Sequence, residues 1–262
     1  MFEKTVSIVI PVQANSKRFP KKYAAEICGR PMLYRVIDNC IKTGFQIHVA
    51  TPDQEVINFV KAEKFYLDNL KVEWKNPPIG IQCIKTRSDN TTGNEAVAEA
   101  ALEIESDVII NVQGDEPLIQ PSWIKKVAYG LDAKHLVSNG FAPDVYYNAT
   151  AGTIYMVMNK MGQLMYASRE PIPVCIETSD ICKQVCVYAF NKTALLELYG
   201  NINKGFCEKR EDICILRAIE AGIPVRMIGL PNESHSVDYK EDIGIVEKII
   251  TDKMAKDITP EK

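Results

Sequence analysis

Four basic side chains cluster near the start of the chain: Lys17, Arg18, Lys21 and Lys22, with no acid between Gln13 and Tyr23. Such a run suits a ligand carrying several negative charges. Arginine offers phosphate a planar two-pronged contact and lysine a compact point charge. Ser16 and the free backbone amides of the same stretch add donors. Fixed cations at this point lower the barrier of a reaction in which charge builds on an attacked phosphorus and a departing pyrophosphate. The stretch lacks the glycines of a Walker phosphate loop. A solvated basic loop is the bland alternative, and the position directly after the first apolar strand favours the phosphate reading.

A second group carries acid. The string Asn111-Val112-Gln113-Gly114-Asp115-Glu116-Pro117 closes an apolar strand, and Asp238 follows Ser236 and Val237. Gly114 permits close backbone approach by a ligand. Magnesium on a nucleotide takes one or two protein carboxylates and fills its other positions with phosphate oxygens. Asp115 and Asp238 are therefore the candidate metal pair. Judged alone, Asp238 reads as the N-cap of the last helix, whereas the Gly-Asp-Glu-Pro string at a strand end favours the metal at Asp115.

Other reactive residue types make weaker cases. His48 lies in a strand and reads as structural, His135 bounds an element, and His235 stands near enough to Asp238 in sequence to approach an acceptor. Cys182 and Cys186 read as packing, and no His, Cys and acid set has zinc-site character. Covalent catalysis is not required, because an acceptor's own oxygen can attack phosphorus directly.

These groups need a frame. Ser7 to Val12, Ile47 to Ala50 and Asp107 to Val112 are short apolar runs that read as strands buried on both faces. Helices are expected after Pro31, over Gln54 to about Ala62, over Glu95 to Glu105, and after Pro121. Alternation of this kind implies parallel strands joined by right-handed crossovers, with ligands beyond the strands' carboxyl ends. The stretch from Phe65 to Ile84 resists reading, with short strands expected at Val72 and at Ile81 to Ile84. From about His135 to Phe206 the pattern turns β-rich: strands at Thr153 to Met158, Leu164 to Ser168 and Val185 to Phe190, with Gly162 in a turn. Then come a helix over Glu211 to Ala221, a strand at Val225 to Ile228, and a closing helix over Tyr239 to Lys253. One α/β domain over 1–262, with a smaller β-rich lobe at 135–206, is expected.

Composition narrows the function. The chain has 262 residues, 46% hydrophobic and 25% charged, the balance of a globular protein. A net charge of -3 supplies no global field for nucleic acid. Eight scattered cysteines without a Cys-x-x-Cys pair, no leading apolar segment and no stretch of membrane-spanning length point to a reducing cytoplasm and no membrane.

The motifs together identify a resemblance. The chain resembles the 3-deoxy-manno-octulosonate cytidylyltransferases, and more distantly the CMP-sialic acid synthetases. The likeness runs from Ser7 to about Ile249. It rests on Ile10-Pro11 with Ser16, Arg18, Pro20 and Lys22; on Gly29-Arg30-Pro31-Met32; on Thr86-Arg87-Ser88-Asp89 with Gly93 and Glu95; on Asn111 to Pro117; on Tyr166 to Pro173; and on Tyr188, Glu211, Arg217 and Val237-Asp238. It implies a Rossmann-like, mostly parallel α/β sheet flanked by helices, of the nucleotidyltransferase (glycosyltransferase-A-like) kind. It also implies CTP as donor, a small anionic acceptor, Mg2+ as cofactor, pyrophosphate as product and a homodimer, the 135–206 lobe serving acceptor binding or dimerisation.

By the same resemblance Pro11, Ser16, Arg18, Lys22, Arg87, Asp89, Thr92, Gly93, Gln113 and Gly114 are expected to hold the nucleotide. Lys22, Arg18 and Asp115 would be catalytic, Asp115 and Asp238 would bind the metal, and Gln13, Arg169, Gln184, Tyr188, Glu211 and Cys214 would face the acceptor. The chain departs from the family's pattern at several points. Gln13 and Ala96 stand where the family has Arg, Gln184 where it has His, and Cys214-Ile215 where it has Glu-Gln, and the stretch from Phe65 to Pro78 reads as an insertion. These changes fall mainly on the acceptor side. They leave open a modified sugar acid, a phosphorylated or phosphonate acceptor in surface-polysaccharide synthesis or, in another class, a nucleotide-binding regulator without catalysis.

Overall fold

Val6–Pro11 forms the first strand, β1, and its four central residues are fully buried. The computed structural model describes residues 4–16, 18–69, 80–145, 152–173, 181–231 and 234–258. Lys17, Val72, most of the stretch read as an insertion and Cys175 lie outside the described residues.

The elements follow the expected alternation. After β1 come two short strands, β2 (Glu26–Ile27) and β3 (Arg30–Pro31), paired antiparallel, and helix α1 (Met32–Ile41). Then follow β4 (Gln46–Thr51), α2 (Gln54–Asn69), β5 (Gln82–Lys85), α3 (Gly93–Ala101), β6 (Val108–Val112) and α4 (Pro121–Ala128). The second half contains β7 (Val137–Val145), β8 (Tyr155–Met158), β9 (Leu164–Ser168) and β10 (Ile181–Asn191). It closes with α5 (Lys192–Leu196), a π turn at Glu197–Asn201, α6 (Phe206–Glu211), α7 (Leu216–Glu220), β11 (Val225–Gly229) and α8 (Asp242–Ile258).

The main sheet runs β11-β7-β10-β6-β1-β4-β5. Strands β6, β1, β4 and β5 are mutually parallel, so their carboxyl ends share one edge. Strand β10 runs antiparallel to both neighbours, and β11 is parallel to β7. Ile8, Ile10, Ile110 and Val112 pack with α1 and α4 residues on one face, among them Leu33, Ile37, Trp123 and Ile124. Val9, Ile109 and Phe190 pack on the other face with Val97 and Ala101 of α3 and with Leu195 and Leu198. Each such side chain contributes about 1.5–3 kcal/mol by leaving water.

The segment 135–206 is divided in use. Strands β7 and β10 belong to the main sheet, and the β8–β9 hairpin attaches to the start of β10. Strand β7 escapes a sequence reading because Asn139, Gly140 and Pro143 mimic turn chemistry. Packing explains two of them. A Cβ on Gly140 would lie 2.8 Å from Leu230 Cδ1 and 3.0 Å from Val187 Cγ1. The Asn139 amide donates to the carbonyls of Val185 (3.0 Å) and Val187 (2.8 Å), where the register of β10 slips.

One expected helix is corrected. Glu211 to Ala221 is not continuous: α6 ends at Glu211, Asp212 turns left-handed (φ 53°), and α7 starts only at Leu216. The Glu211 carboxylate is drawn aside, accepting from the Arg169 N–H at 2.9 Å and from the Tyr166 and Ser168 hydroxyls. Among the described residues no helix is long and apolar enough to cross a membrane.

Candidate functional site

The four parallel strands end in four loops, and those loops line one cleft of about 450 Å³. The loop after β1 folds back on itself. The Lys21 N–H donates to the Ala14 carbonyl at 2.8 Å with Lys21 left-handed (φ 55°), and the Asp53 carboxylate accepts the Ala14 N–H at 2.7 Å. This closure carries Lys22 across the strand ends to β6.

There Lys22 Nζ donates to Asp115 Oδ2 and, at 3.2 Å, to the carbonyl of Val237. Asp238 Oδ1 lies 4.0 Å from the same ammonium and 2.6 Å from Arg18 Nη2. A backbone bond fixes the arrangement, the Val237 N–H donating to the Asp115 carbonyl at 2.9 Å. Burial lowers the pKa of Arg18, but its contacts with Tyr239, Asp238 and Asp115 outweigh that and hold the guanidinium above its usual range. Two of the early cations, Arg18 and Lys22, thus meet both expected metal acids at one place, while Lys21 pairs with Glu55 at 3.0 Å.

Asp238 is not the helix cap that its sequence position suggests. Asp242, the first residue of α8, reaches back instead: its Oδ2 accepts the N–H groups of Asp238 and Tyr239, which precede the helix, each at 2.8 Å. The Asp238 carboxylate is left for Arg18 and Lys22. Two hard oxygen donors around one point suit a divalent cation that brings its other ligands with a nucleotide. No larger group of His, Cys, Asp or Glu able to hold a metal occurs among the described residues.

Gly114 is required by the protein itself as well as open to a ligand. A Cβ there would lie 3.0 Å from Val12 Cγ2 and 3.2 Å from the Pro11 carbonyl oxygen, so the β1 and β6 loops touch only because it is glycine. Beside it, burial and the negative neighbours Asp115 and Asp238 push the Glu116 carboxyl up to about 7, although Ser234 donates to it.

Pro11, Gln13, Ser16, Arg18, Lys22, Arg87, Thr92, Gly93, Gln113, Gly114 and Asp115 all line the cleft. Asp89 does not: it is exposed, 3.5 Å from Arg87 Nε. Asp238 stands at the Lys22 end and lines a small adjoining cavity that also contains Lys183 and His235. Ala96, where the resemblance leads one to expect arginine, lies in the cleft wall.

Of the expected acceptor residues, Gln13 lines the nucleotide cleft itself, and the others lie outside its lining. Gln113 Nε2 donates to Asn111 Oδ1 at 3.2 Å, Asn111 to Asn94, and Asn94 Nδ2 reaches Cys214 Sγ at 3.1 Å. Burial pushes the Cys214 thiol up to about 12 and the Tyr188 hydroxyl well above its usual range. Arg169 is turned onto backbone carbonyls, Nη2 to Asp212 at 3.0 Å and Nε to Glu211 at 3.2 Å. Gln184 is buried and donates from Nε2 to Asn139 Oδ1 at 2.6 Å, while its own Oε1 has no partner among the described residues. The sequence reading assigned no role to Asn94, Asn111 or Asn139. For Asn111, a polar residue inside an apolar strand was the available signal; Asn94, on α3, and Asn139, in the unread β7, offered none.

Comparison with known proteins follows the geometry. Residues 7–234 match the cytidylyltransferase family. The chain is 29% identical to the 3-deoxy-manno-octulosonate cytidylyltransferase of Trichlorobacter lovleyi, over 90% of this chain and 94% of that one. It is 27% identical to the Escherichia coli protein of the same name, over 95% and 97%. The structure of a CMP:2-keto-3-deoxy-manno-octonic acid synthetase complexed with CTP superposes with a TM-score of 0.80 at 26% identity, covering 95% of this chain and 99% of that one. The fold is shared more distantly with a 4-diphosphocytidyl-2C-methyl-D-erythritol synthase from Anaerococcus prevotii, at a TM-score of 0.61 and 13% identity.

Proposed function

The chain belongs to the cytidylyltransferase family, and from that premise we propose that it transfers CMP from CTP to a sugar acid of the 3-deoxy-manno-octulosonate kind, releasing pyrophosphate. One observation carries the reading: Lys22, Asp115, Asp238 and Arg18 converge at the end of a cleft walled by the loops of four parallel strands. Convergence also sets aside a regulator without catalysis, because the groups needed for phosphoryl chemistry are retained and in contact.

In this reading an acceptor oxygen attacks the α-phosphorus of CTP in line, forming an O–P bond as the bond to pyrophosphate breaks. Lys22 and Arg18 offset the charge on the α-phosphate and the leaving group. Thr92, Gly93 and Arg87 hold the nucleoside end, and Gln113 and Gly114 form the floor. Asp115 and Asp238 would hold magnesium, which supplies charge neutralisation and polarises the phosphates. The protein acts in the cytoplasm as a homodimer.

The relatives, named for 3-deoxy-manno-octulosonate, favour a sugar acid over a phosphate or phosphonate, and one buried group is compatible with that choice. Asn139 must point its nitrogen at the two carbonyls it serves, so its oxygen accepts from Gln184 and the Gln184 oxygen is left as a buried acceptor. A phosphate oxygen cannot satisfy it, whereas a hydroxyl or amino group can. The test is pyrophosphate release from CTP with a panel of sugar acids and phosphorylated acceptors. Turnover confined to phosphorylated acceptors would overturn the acceptor reading.

A further inference from the structure

The loop after β5 supplies Thr86, Arg87, Asn90, Thr91, Thr92 and Gly93 to the cleft. It is tied down by two carboxylates of α3, neither of which lines the cleft. Glu99 accepts the Arg87 N–H at 3.1 Å and Asn90 Nδ2 at 2.6 Å. Glu95 Oε2 accepts three donors: the Thr91 N–H at 2.7 Å, the Thr91 hydroxyl at 2.8 Å and the Thr92 N–H at 3.2 Å. The Thr92 hydroxyl accepts the Glu95 N–H in return, completing a capping box.

The other Glu95 oxygen accepts Arg217 Nη2 at 2.8 Å. Arg217 is only 2% exposed. Glu208 clamps it at 2.6 and 2.7 Å, the Ile202 carbonyl accepts from it at 3.1 Å, and it stacks 4.8 Å from the Tyr199 ring centroid. The guanidinium cannot follow Glu95; Glu95 must follow it. A capping box alone needs no buried ion pair behind it.

We infer that Glu95, locked by Arg217, is a positioning residue that presets the Thr91–Thr92 backbone for the nucleoside of CTP without touching it. The inference rests on the reading that this cleft takes CTP. Preorganisation of this kind appears in binding rather than in chemistry. The phosphate groups Lys22 and Asp115 belong to the ends of β1 and β6, whereas this loop leaves β5.

The experiment is steady-state kinetics and CTP titration of the native protein, Glu95→Gln, Arg217→Lys, Thr91→Val and Thr91→Ser, with melting temperatures alongside. Glu95→Gln is expected to raise the CTP KM by roughly 10-fold or more, the worth of a charge-assisted bond. Its kcat should stay within about threefold and its acceptor KM should not move. Thr91 is exposed, so its variants leave folding intact. Thr91 itself lines the cleft, so its two variants are compared with each other: Thr91→Ser keeps the hydroxyl that Glu95 accepts, and Thr91→Val, which loses it, should bind CTP about threefold to tenfold more weakly than Thr91→Ser. A native-like CTP KM in Glu95→Gln or, if that variant does not fold, in Thr91→Val overturns the inference. So does a loss confined to kcat. Absence of CTP turnover in the native protein would instead sink the function proposed above.

Discussion

The ammonium of Lys22 donates to the carboxylate of Asp115, a residue 93 positions further along the chain. One follows the first strand and the other the sixth, and the strands are parallel neighbours. Adjacency in the sheet makes the pair, because each loop leaves at the same edge. Lys22→Met should therefore lower the rate of pyrophosphate release by about 100-fold or more with CTP saturating, the scale of removing one transition-state donor. Arg18→Met, at a side chain 46% exposed, should cost less and act mainly on the CTP KM. Single-turnover rates for both variants decide this, and equal losses would contradict it.

Gly114→Ala introduces a Cβ 3.0 Å from Val12 Cγ2 and 3.2 Å from the Pro11 carbonyl oxygen. The β1 loop would have to move, at a cost of about 1–3 kcal/mol in stability. Because that loop leads into Arg18 and Lys22, activity should fall by roughly 10-fold or more. Denaturant titration and kinetics check the two effects; a native-like result in both would mean the loops do not set the cleft.

How much of this was legible beforehand follows from the physics of each part. Strands β1, β4 and β6 announce themselves as unbroken apolar runs, and the acids and bases that follow them inherit their position from the sheet rule. The bond between Lys22 and Asp115 required only that both loops leave the same edge. Strand β7 stayed hidden because its Asn139 and Gly140 answer to β10 and Leu230, distant in sequence. The break after Glu211 was invisible for the same reason: the groups that meet the chain there, Tyr166, Ser168 and Arg169, are distant in sequence. Asp238 spends its carboxylate on Arg18 rather than on the N–H groups of α8, which spacing alone does not decide.

Gln184→Met removes the buried amide and its unpartnered oxygen together. It should raise the acceptor KM by about 10-fold while leaving the CTP KM unchanged, since Gln184 does not line the nucleotide cleft. Initial rates with each substrate varied in turn provide the check. An equal effect on both substrates would remove Gln184 from acceptor recognition.

His48 is buried in β4, neither ring nitrogen has a hydrogen-bond partner among the described residues, and burial holds its pKa below the usual value. The unfolded chain therefore binds a proton that the folded chain resists. Stability contributed by the neutral ring is present above the unfolded pKa, about 6.5, and is lost as pH falls below it. His48→Leu should match or exceed the native melting temperature at pH 7.5, with the gap widening by pH 5.5. Melting curves at both values test this, and a gap independent of pH would contradict it.

In the proposed function Asp115 helps to hold a metal on the CTP triphosphate that Lys22 grips. The most direct measurement is pyrophosphate release from CTP and 3-deoxy-manno-octulosonate across a magnesium titration, for the native protein and for Asp115→Asn. The native rate should rise from background and saturate with magnesium, while Asp115→Asn should stay at least about 100-fold lower at every concentration and still bind CTP weakly. A native rate indifferent to magnesium, or full activity in Asp115→Asn, would contradict the account.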